Sequence, residues 1–149
     1  MLLAPSGVGD IAVIELKDQS FMVQSSSYLA SSPDLKVDTK FAGVKSFFSK
    51  EGFFMMQVSG TGQLFISSFG AIHEINLAPE EEYVVDNGHI VAFESNIPYK
   101  IEKAAKGLFS SFSSGEGLVS KYTGPGKIFL QTRQVQGLAG LIAPFLPKK

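Results

Sequence analysis

The amino-acid sequence predicts an all-β domain of two tandem repeats, each a series of short antiparallel strands. Three observations carry this prediction: an internal repeat, an alternation of apolar and polar residues with a period of two, and clusters of turn-forming residues between the alternating runs. The chain has 149 residues, a length typical of a single domain.

The first half of the chain recurs in the second half. Five blocks keep their order, with small insertions between them, and chance similarity rarely does so. The sequence therefore predicts one β domain, residues 1–133, with units at about 9–69 and 70–133, followed by an apolar tail, 134–149. The matching blocks are 9–16 with 70–77, 21–23 and 28–30 with 83–85 and 90–92, 35–38 with 99–102, 51–54 with 116–119, and 60–66 with 124–130.

Turn chemistry separates the predicted strands. Gly60-Thr61-Gly62 and Gly124-Pro125-Gly126 lie between alternating runs, which predicts a hairpin with a three-residue loop at each place. A phosphate-binding loop is the alternative, but no helical pattern follows the glycines and the lysine of that motif is missing. Further turns are predicted at Lys17-Asp18, Ser31-Ser32-Pro33-Asp34 and Asp86-Asn87-Gly88.

A Glu-Gly pair stands at the same position in both units, Glu51-Gly52 in the first and Glu116-Gly117 in the second. Two such glutamates suggest a general acid and base, yet no His, Cys or Lys neighbour completes a catalytic group. We favour a structural role, in which the carboxylate binds loop amides and the glycine takes a positive φ. The predicted structural motif therefore comprises Glu51, Gly52, Gly60, Gly62, Glu116, Gly117, Gly124 and Gly126.

Composition removes several kinds of chemistry. There are no cysteines, which excludes disulfides, zinc-thiolate sites, iron–sulfur clusters and thiol nucleophiles. The two histidines are His73 and His89, and neighbouring His73 and Glu74 point to opposite faces of a strand. No Gly-x-Ser-x-Gly elbow is present, and the acidic run at residues 80–82 is best interpreted as a solvated turn. The sequence predicts no catalytic residue, no metal and no cofactor.

A nucleic-acid interface needs clustered basic residues with aromatic platforms. The net charge is −1, and the 13 basic residues are scattered, with Arg133 the single arginine. Charge therefore argues against a nucleic-acid partner.

Apolar residues outside the strands predict self-association. Charged residues make up 18% of the chain, below the usual 25% or so, which suggests that part of the surface faces another subunit. The looser segments 41–50 and 104–114 hold several phenylalanines, and the tail has apolar residues at helical spacing. A homo-oligomer is expected, and peripheral membrane contact is the competing explanation. The candidate interaction residues are Phe47, Phe48, Leu108, Phe109, Phe112, Leu141 and Phe145.

One stretch of the second unit resembles a known family. Gly-Glu-Gly-Leu-Val at 115–119, followed by Tyr-Thr-Gly-Pro-Gly-Lys-Ile-Phe-Leu-Gln-Thr-Arg at 122–133, is similar to the altered-inheritance-of-mitochondria family, number twenty-four. Shorter matches at 9–11, 51–54, 67–72 and 85–93 extend the resemblance over nearly the whole chain.

The resemblance implies a β-sandwich of the type found in the tryptophan RNA-binding attenuation protein (TRAP-like), related to double-stranded β-helices. It implies little about activity and offers no catalytic residue to transfer. Family members usually carry a further β unit before this point, so the chain resembles a member that lacks its first repeat, with exposed strand edges. Bacterial members imply a cytoplasmic protein and eukaryotic ones a mitochondrial protein.

Three functions follow as hypotheses. The first is a non-catalytic oligomeric scaffold or interaction domain, for which the mitochondrial members of the resembled family imply a role in membrane organisation. The second is a TRAP-like nucleic-acid-binding regulator, suggested by the fold resemblance alone. The third is a small-ligand or metal-binding β-barrel, which would need His89 and a carboxylate in one cavity.

Overall fold

The architecture, seen in a computed structural model, is all-β, which confirms the predicted fold class. The structure describes residues 2–5, 7–39, 54–103 and 118–147. The elements of this part of the chain are β1 (Ile11–Gln24), β2 (Tyr28–Ser31), β3 (Lys36–Asp38), β4 (Met55–Ser67), β5 (Ile72–Leu77), β6 (Glu82–Asp86), β7 (Ile90–Glu94), β8 (Tyr99–Lys103), β9 (Leu118–Thr123), β10 (Gly126–Gln131), α1 (Val135–Ile142), and 3₁₀ turns at Asn87–His89 and Ala143–Phe145.

The strands form two sheets, as in a β-sandwich. Seven strands make the large sheet in the order β2-β4-β1-β7-β10-β5, and β3 also pairs with β4. The small sheet has the order β6-β9-β8. Every pair of named strands is antiparallel.

Strand pairing in the first half has a counterpart in the second half. Residues 11–16 of β1 pair with residues 62–67 of β4, as β5 pairs with β10. Residues 20–24 of β1 pair with residues 55–59 of β4, as β6 pairs with β9. Each long strand of the first half thus corresponds to two short strands of the second. These equivalent registers support the predicted division into two units, which stays a prediction.

One matched block differs between sequence and structure. The sequence equates Leu35 with Tyr99, but in the structure Leu35 and Ile97 make the same turn. The amide of Leu35 donates to the carbonyl of Ser32, and the amide of Ile97 donates to that of Glu94, each at 3.1 Å. A shift of two residues preserves the alternation of a strand, so sequence pattern alone could not detect it.

The predicted turn at Lys17-Asp18 is wrong. Both residues lie inside the continuous strand β1, at a bulge between Leu16 and Gln19 where the register with β4 shifts. Asp18 takes a positive φ of 54°, which an aspartate tolerates better than most residues. The chain therefore bends here without reversing.

The two predicted Gly-x-Gly hairpins are also wrong. Gly60 and Gly62 lie within the continuous strand β4, opposite the bulge in β1. Gly124 and Gly126 connect β9 in the small sheet to β10 in the large sheet, and these two strands do not pair. The strand segments on either side of each motif form hydrogen bonds with other strands and not with each other. The sequence pattern does not reveal these partners.

Each half contributes side chains to the core of the other. The first core consists mainly of residues from β1, Leu35 and β4, but Val91, Ala92 and Phe129 of the second half belong to it. The second core lies between the two sheets, and it includes Met22 and Met55 of the first half. The two halves are thus joined by shared packing as well as by hydrogen bonds.

An aromatic cluster fills the second core. The rings of Tyr99 and Tyr122 stack with centroids 5.8 Å apart, and Phe93 meets both rings edge-on at 5.1 and 5.0 Å. Burial raises the pKa of the Tyr122 hydroxyl far above its ordinary value, so this group remains neutral within the core.

We predict that Gly126→Ala destabilises the domain. Gly126 has a φ of +149°, and an added Cβ would lie 2.5 Å from Cγ1 of buried Ile97. Overpacking and backbone strain should together cost about 2–4 kcal/mol in the free energy of unfolding, measured by urea denaturation.

The matched control is Gly137→Ala in α1. A Cβ at Gly137 would meet nothing within 4 Å, so this variant should unfold at the same urea concentration as the wild type or a higher one. Equal midpoints for Gly126→Ala and the wild type would contradict the packing argument.

Candidate interaction surface

Most of the predicted site residues in the loops lie outside the described residues. This applies to Phe47, Phe48, Glu51, Gly52, Leu108, Phe109, Phe112, Glu116 and Gly117. Among the described site residues, the four glycines of the Gly-x-Gly motifs bend or connect strands. Leu141 and Phe145 are in the C-terminal tail.

The tail presents an apolar surface to solvent. It forms α1 followed by the 3₁₀ turn, and no residue of either element is buried. Leu141 is 72% exposed and Phe145 is 86% exposed. We call this surface the tail patch; its other members, all exposed, are Val135, Leu138, Ile142 and Leu146.

Helix α1 has weak intrinsic stability. It has eight residues, no side-chain cap at Gln134, and no charged residue in its first or last turn. It also contains Gly137 and Gly140, each of which disfavours a helix by about 1 kcal/mol relative to alanine. Isolated helices shorter than about 12 residues are marginal in water, so such a helix gains stability by packing its apolar side chains against another surface.

A network of hydrogen bonds anchors the start of the tail to the domain; we call it the polar knot, and its side chains are those of Asp86, His89, Gln131 and Gln134. The side chain of Gln131 accepts a hydrogen bond from the amide of Phe69 at 2.9 Å and donates one to the carbonyl of Gly88 at 2.8 Å. The carbonyl of Gln131 accepts a bond from Nδ1 of His89 at 2.7 Å. Gln131 thus ties the segment between β4 and β5 to the turn before β7.

Gln134 adds a second tie. Its Nε2 donates to Oδ1 of Asp86 at 3.2 Å, and the same carboxylate oxygen accepts the amide of Gly88 at 2.8 Å. A Cβ at Gly88 would lie 2.7 Å from Nε2 of Gln134, so the close approach depends on glycine. The direction in which the tail leaves the domain is therefore fixed by hydrogen bonds at its base.

A groove runs beside this knot. Its volume is about 370 Å³, and its walls come from the N-terminal segment, the end of β4 and the first turns of α1. Its lining includes Pro5, Gly7, Phe69, Gln131, Val135 and Leu138. These side chains and backbone groups offer apolar contact and hydrogen bonds but no ionisable group.

The histidines do not meet to form a metal site. His73 is exposed on the edge strand β5, and His89 makes the bond to Gln131 described above. Glu74, next to His73, instead forms an ion pair with Lys127 at 3.0 Å, and this hydrogen bond holds the pKa of Glu74 below its ordinary value. Within the described ranges, no three His, Cys, Asp or Glu residues come together as metal ligands.

A second, smaller depression of about 140 Å³ lies on the small sheet, and it is charged. Lys121 forms an ion pair with Glu82 at 2.8 Å, which raises the pKa of the Lys121 ammonium group. Lys100, the cross-strand neighbour of Lys121, lines the same depression together with Glu82 and Glu102. The two lysines are matched by two glutamates, so the surface offers no net positive charge to a phosphate backbone.

In the acidic run at residues 80–82, Glu80 and Glu81 lie in an exposed turn, as predicted, and Glu82 begins β6. Glu80 takes a positive φ of 63°, and the carboxylate of Glu81 accepts a hydrogen bond from the amide of Ala78 at 2.7 Å.

Among the described residues, no helix is long and apolar enough to cross a membrane.

Fold and surface together define a class: an all-β sandwich whose conspicuous exposed feature is an apolar tail. Residues 1–133 match the family described as mitochondrial biogenesis AIM24. The chain belongs to this family, which confirms the resemblance found in the sequence.

Two relatives come from a bacterium. An uncharacterized protein of Streptococcus pyogenes serotype M6 is 30% identical over 149 residues, which cover 99% of this chain and 59% of the relative. An X-ray crystal structure of a Streptococcus pyogenes protein has a TM-score of 0.79 and 28% identity, and the match covers 96% of this chain and 63% of that one. The chain therefore spans about three-fifths of the length of these relatives.

Sequence reasoning missed the residues of the polar knot. Gln131 belongs to the Gln-Thr-Arg stretch that carries the family resemblance, but the sequence alone gives it no role, because its partners Phe69 and Gly88 are distant in sequence. Its place in a family motif is the available signal. The sequence predicts a turn at Asp86 but not its hydrogen bond to Gln134.

We predict that Gln131→Ala destabilises the domain by about 1–3 kcal/mol, because it removes the side-chain partners of the Phe69 amide and the Gly88 carbonyl. Gln136→Ala, at an exposed glutamine of α1, is the control and should change the free energy of unfolding by less than about 0.5 kcal/mol. Urea denaturation followed by circular dichroism measures both, and equal effects of the two variants would count against the knot.

Proposed function

We propose that this chain is a non-catalytic assembly module, an oligomeric scaffold that associates through its tail patch. The observation that carries the proposal is the exposure of Leu138, Leu141, Ile142 and Phe145 along one short segment held by the polar knot. Monomeric proteins rarely expose contiguous apolar patches larger than a few hundred Å². Burying this patch against a partner removes apolar surface from water and stabilises the weak helix at the same time.

The absence of catalytic function is part of this proposal. Gln131 and His89, at the base of the tail, are engaged in hydrogen bonds of the knot, and their partners are backbone groups. Such bonds fix the geometry of loops and do not activate a nucleophile or a water molecule.

A nucleic-acid-binding function is less well supported. Its best candidate surface is the depression on the small sheet, where Lys100 and Lys121 are accompanied by Glu82 and Glu102. Counterion release requires unpaired cations along the phosphate backbone, and Lys121 is already paired with Glu82.

We also propose a bacterial cytoplasmic setting, with the Streptococcus pyogenes relatives as support for the bacterial part. A peripheral membrane contact of the tail patch is the competing use of the same side chains. The basic residues of the tail are Lys148 and Lys149, a weaker basic face than membrane-bound amphipathic helices usually carry.

We predict that the double variant Leu141→Ser/Phe145→Ser lowers self-association at least ten-fold, because it removes the two most exposed large side chains of α1 and its 3₁₀ turn. Light scattering coupled to gel filtration, at micromolar protein, measures the mass of the particle. The control is Val13→Ser, which alters an exposed valine inside the large sheet, away from the tail, and should leave the mass unchanged.

Two outcomes would overturn the proposal. One is a wild-type protein with the mass of a single chain at every concentration. The other is co-sedimentation of the wild type, but not of the double variant, with phosphatidylcholine–phosphatidylglycerol vesicles, which would assign the patch to membrane contact.

A further inference from the structure

Among the described strands, the pair that joins the two halves of the chain is β1 with β7. Its register places Phe21 opposite Glu94, Met22 opposite Phe93, and Val23 opposite Ala92. This pair connects an edge supplied by the first half to an edge supplied by the second half.

The same two edges occur again, and no described strand pairs with either of them. Val58 and Tyr122 are equivalent, because each lies two residues before the first glycine of its Gly-x-Gly motif. Phe21 pairs with Val58 and Tyr83 pairs with Tyr122, so Tyr83 of β6 is the equivalent of Phe21. Strand β6 is therefore the second-half equivalent of residues 20–24 of β1.

Strand β2 is likewise the first-half equivalent of β7. On β2, Tyr28 pairs with Ile66 and Ala30 with Phe65, so one residue of β2 is skipped between the two pairs. On β7, Ile90 pairs with Leu130 and Ala92 with Phe129, so one residue is skipped at the same place. Within the described residues, β2 ends the large sheet and β6 ends the small sheet.

Burial shows what the missing neighbours would cover. Met22 is 2% exposed, whereas Val84, its equivalent on β6, is 51% exposed. Val91 is fully buried in the first core, whereas Leu29, its equivalent on β2, is half-buried. Met22 and Val91 each pack into the core of the opposite half, so Val84 and Leu29 are placed to pack into the core of another unit.

The other edge strands carry charge, which discourages pairing with another chain. Lys36 and Asp38 flank the centre of β3, Glu74 lies on β5, and Lys100 and Glu102 lie on β8. Strand β2 has no charged residue, and β6 has charges at its two ends alone. The two edges with uncharged centres are thus the ones equivalent to the paired strands β7 and β1.

We propose that β6 of one copy pairs antiparallel with β2 of a second copy of this chain, in the register of β1 and β7. Val84 then faces Ser31, Tyr83 faces Ser32, and Val85 faces Ala30. The contact is head-to-tail, so every copy uses both edges and the assembly is a closed ring or an open filament. This inference rests on the proposed assembly function, to which it adds a second interface distinct from the tail patch.

Two charged variants test the direction of the contact. Both are made in the Leu141→Ser/Phe145→Ser background, which removes the tail contact and leaves the strand edges intact. Val84→Lys then blocks the β6 edge and Leu29→Lys blocks the β2 edge, so each protein alone should have the mass of one chain. Each retains one intact edge, so an equimolar mixture should form particles of two chains and no larger. Val37→Lys, at an exposed valine on the edge strand β3, is the matched control and should keep the mass of the background protein.

A disulfide tests the register, and the absence of cysteine from the chain makes it specific. Residues opposite each other on antiparallel strands have Cα atoms about 4.5–5.5 Å apart, within the range of a disulfide. Ser31→Cys/Val84→Cys should therefore form covalent multimers on mild oxidation. Val37→Cys/Val84→Cys should form at least ten-fold fewer.

The result that overturns the proposal is clear in each experiment. Val84→Lys and Leu29→Lys particles with the same mass as the background protein, or equal cross-linking by the two cysteine pairs, would exclude the β6–β2 contact. A wild type with the mass of one chain, together with a Ser31→Cys/Val84→Cys variant that forms no cross-links, would assign these edges to a partner other than a second copy.

Failure of the tail proposal gives a different pattern. In that case Leu141→Ser/Phe145→Ser keeps the wild-type mass, while Ser31→Cys/Val84→Cys still cross-links.

Discussion

The antiparallel pairing of β1 with β7 is the interaction on which the rest of the structure depends. Few residues take part, but they place Met22 in the second core and Val91 in the first. Each half therefore completes the core of the other, and neither buries its apolar residues in full alone. Because burial of apolar surface is the main favourable contribution to folding, the two halves are expected to fold and unfold together.

Bends in the strands make this pairing possible. The bulge in β1 and the glycines of β4 lie opposite each other, and the two paired strands turn at the same place. In the second half, two separate strands take the place of one bent strand: the chain passes from β9 in the small sheet to β10 in the large sheet through Gly124 and Gly126. Glycine is required there because Gly126 has a positive φ and lies against Ile97.

The surface of the molecule suggests binding to other proteins more than chemistry. Lys121 is paired with Glu82 and Lys127 with Glu74, and Asp86 binds the amide of Gly88. In the part of the chain that the structure describes, the tail patch is exposed and apolar, and no strand pairs with the outer edges of β2 and β6. Both features gain free energy from a partner's surface, one by burial and the other by hydrogen bonds along a strand edge.

Much of the fold could be predicted from local pattern. The recurrence of five blocks, with turn-forming residues between them, indicated short strands and a repeated order of elements. The apolar character of the tail could be predicted from its composition, but the exposure of Leu141 and Phe145 was visible in the structure alone. The family resemblance rested on a motif that includes Gln131, although its bonds to Phe69 and Gly88 were not foreseen.

The sequence by itself determined that the domain is built of strands, where the turn-forming residues lie, and that thiol chemistry is absent. These properties depend on residue type and nearest neighbours. Tertiary structure alone decided which strands pair. The Gly-x-Gly motifs looked like hairpins because a glycine bend has the same local signature whether the next strand returns to its neighbour or moves to another sheet. Register and long-range hydrogen bonds depend on residues that are distant in sequence, and for that reason the free edges at Leu29 and Val84 emerged from the structure.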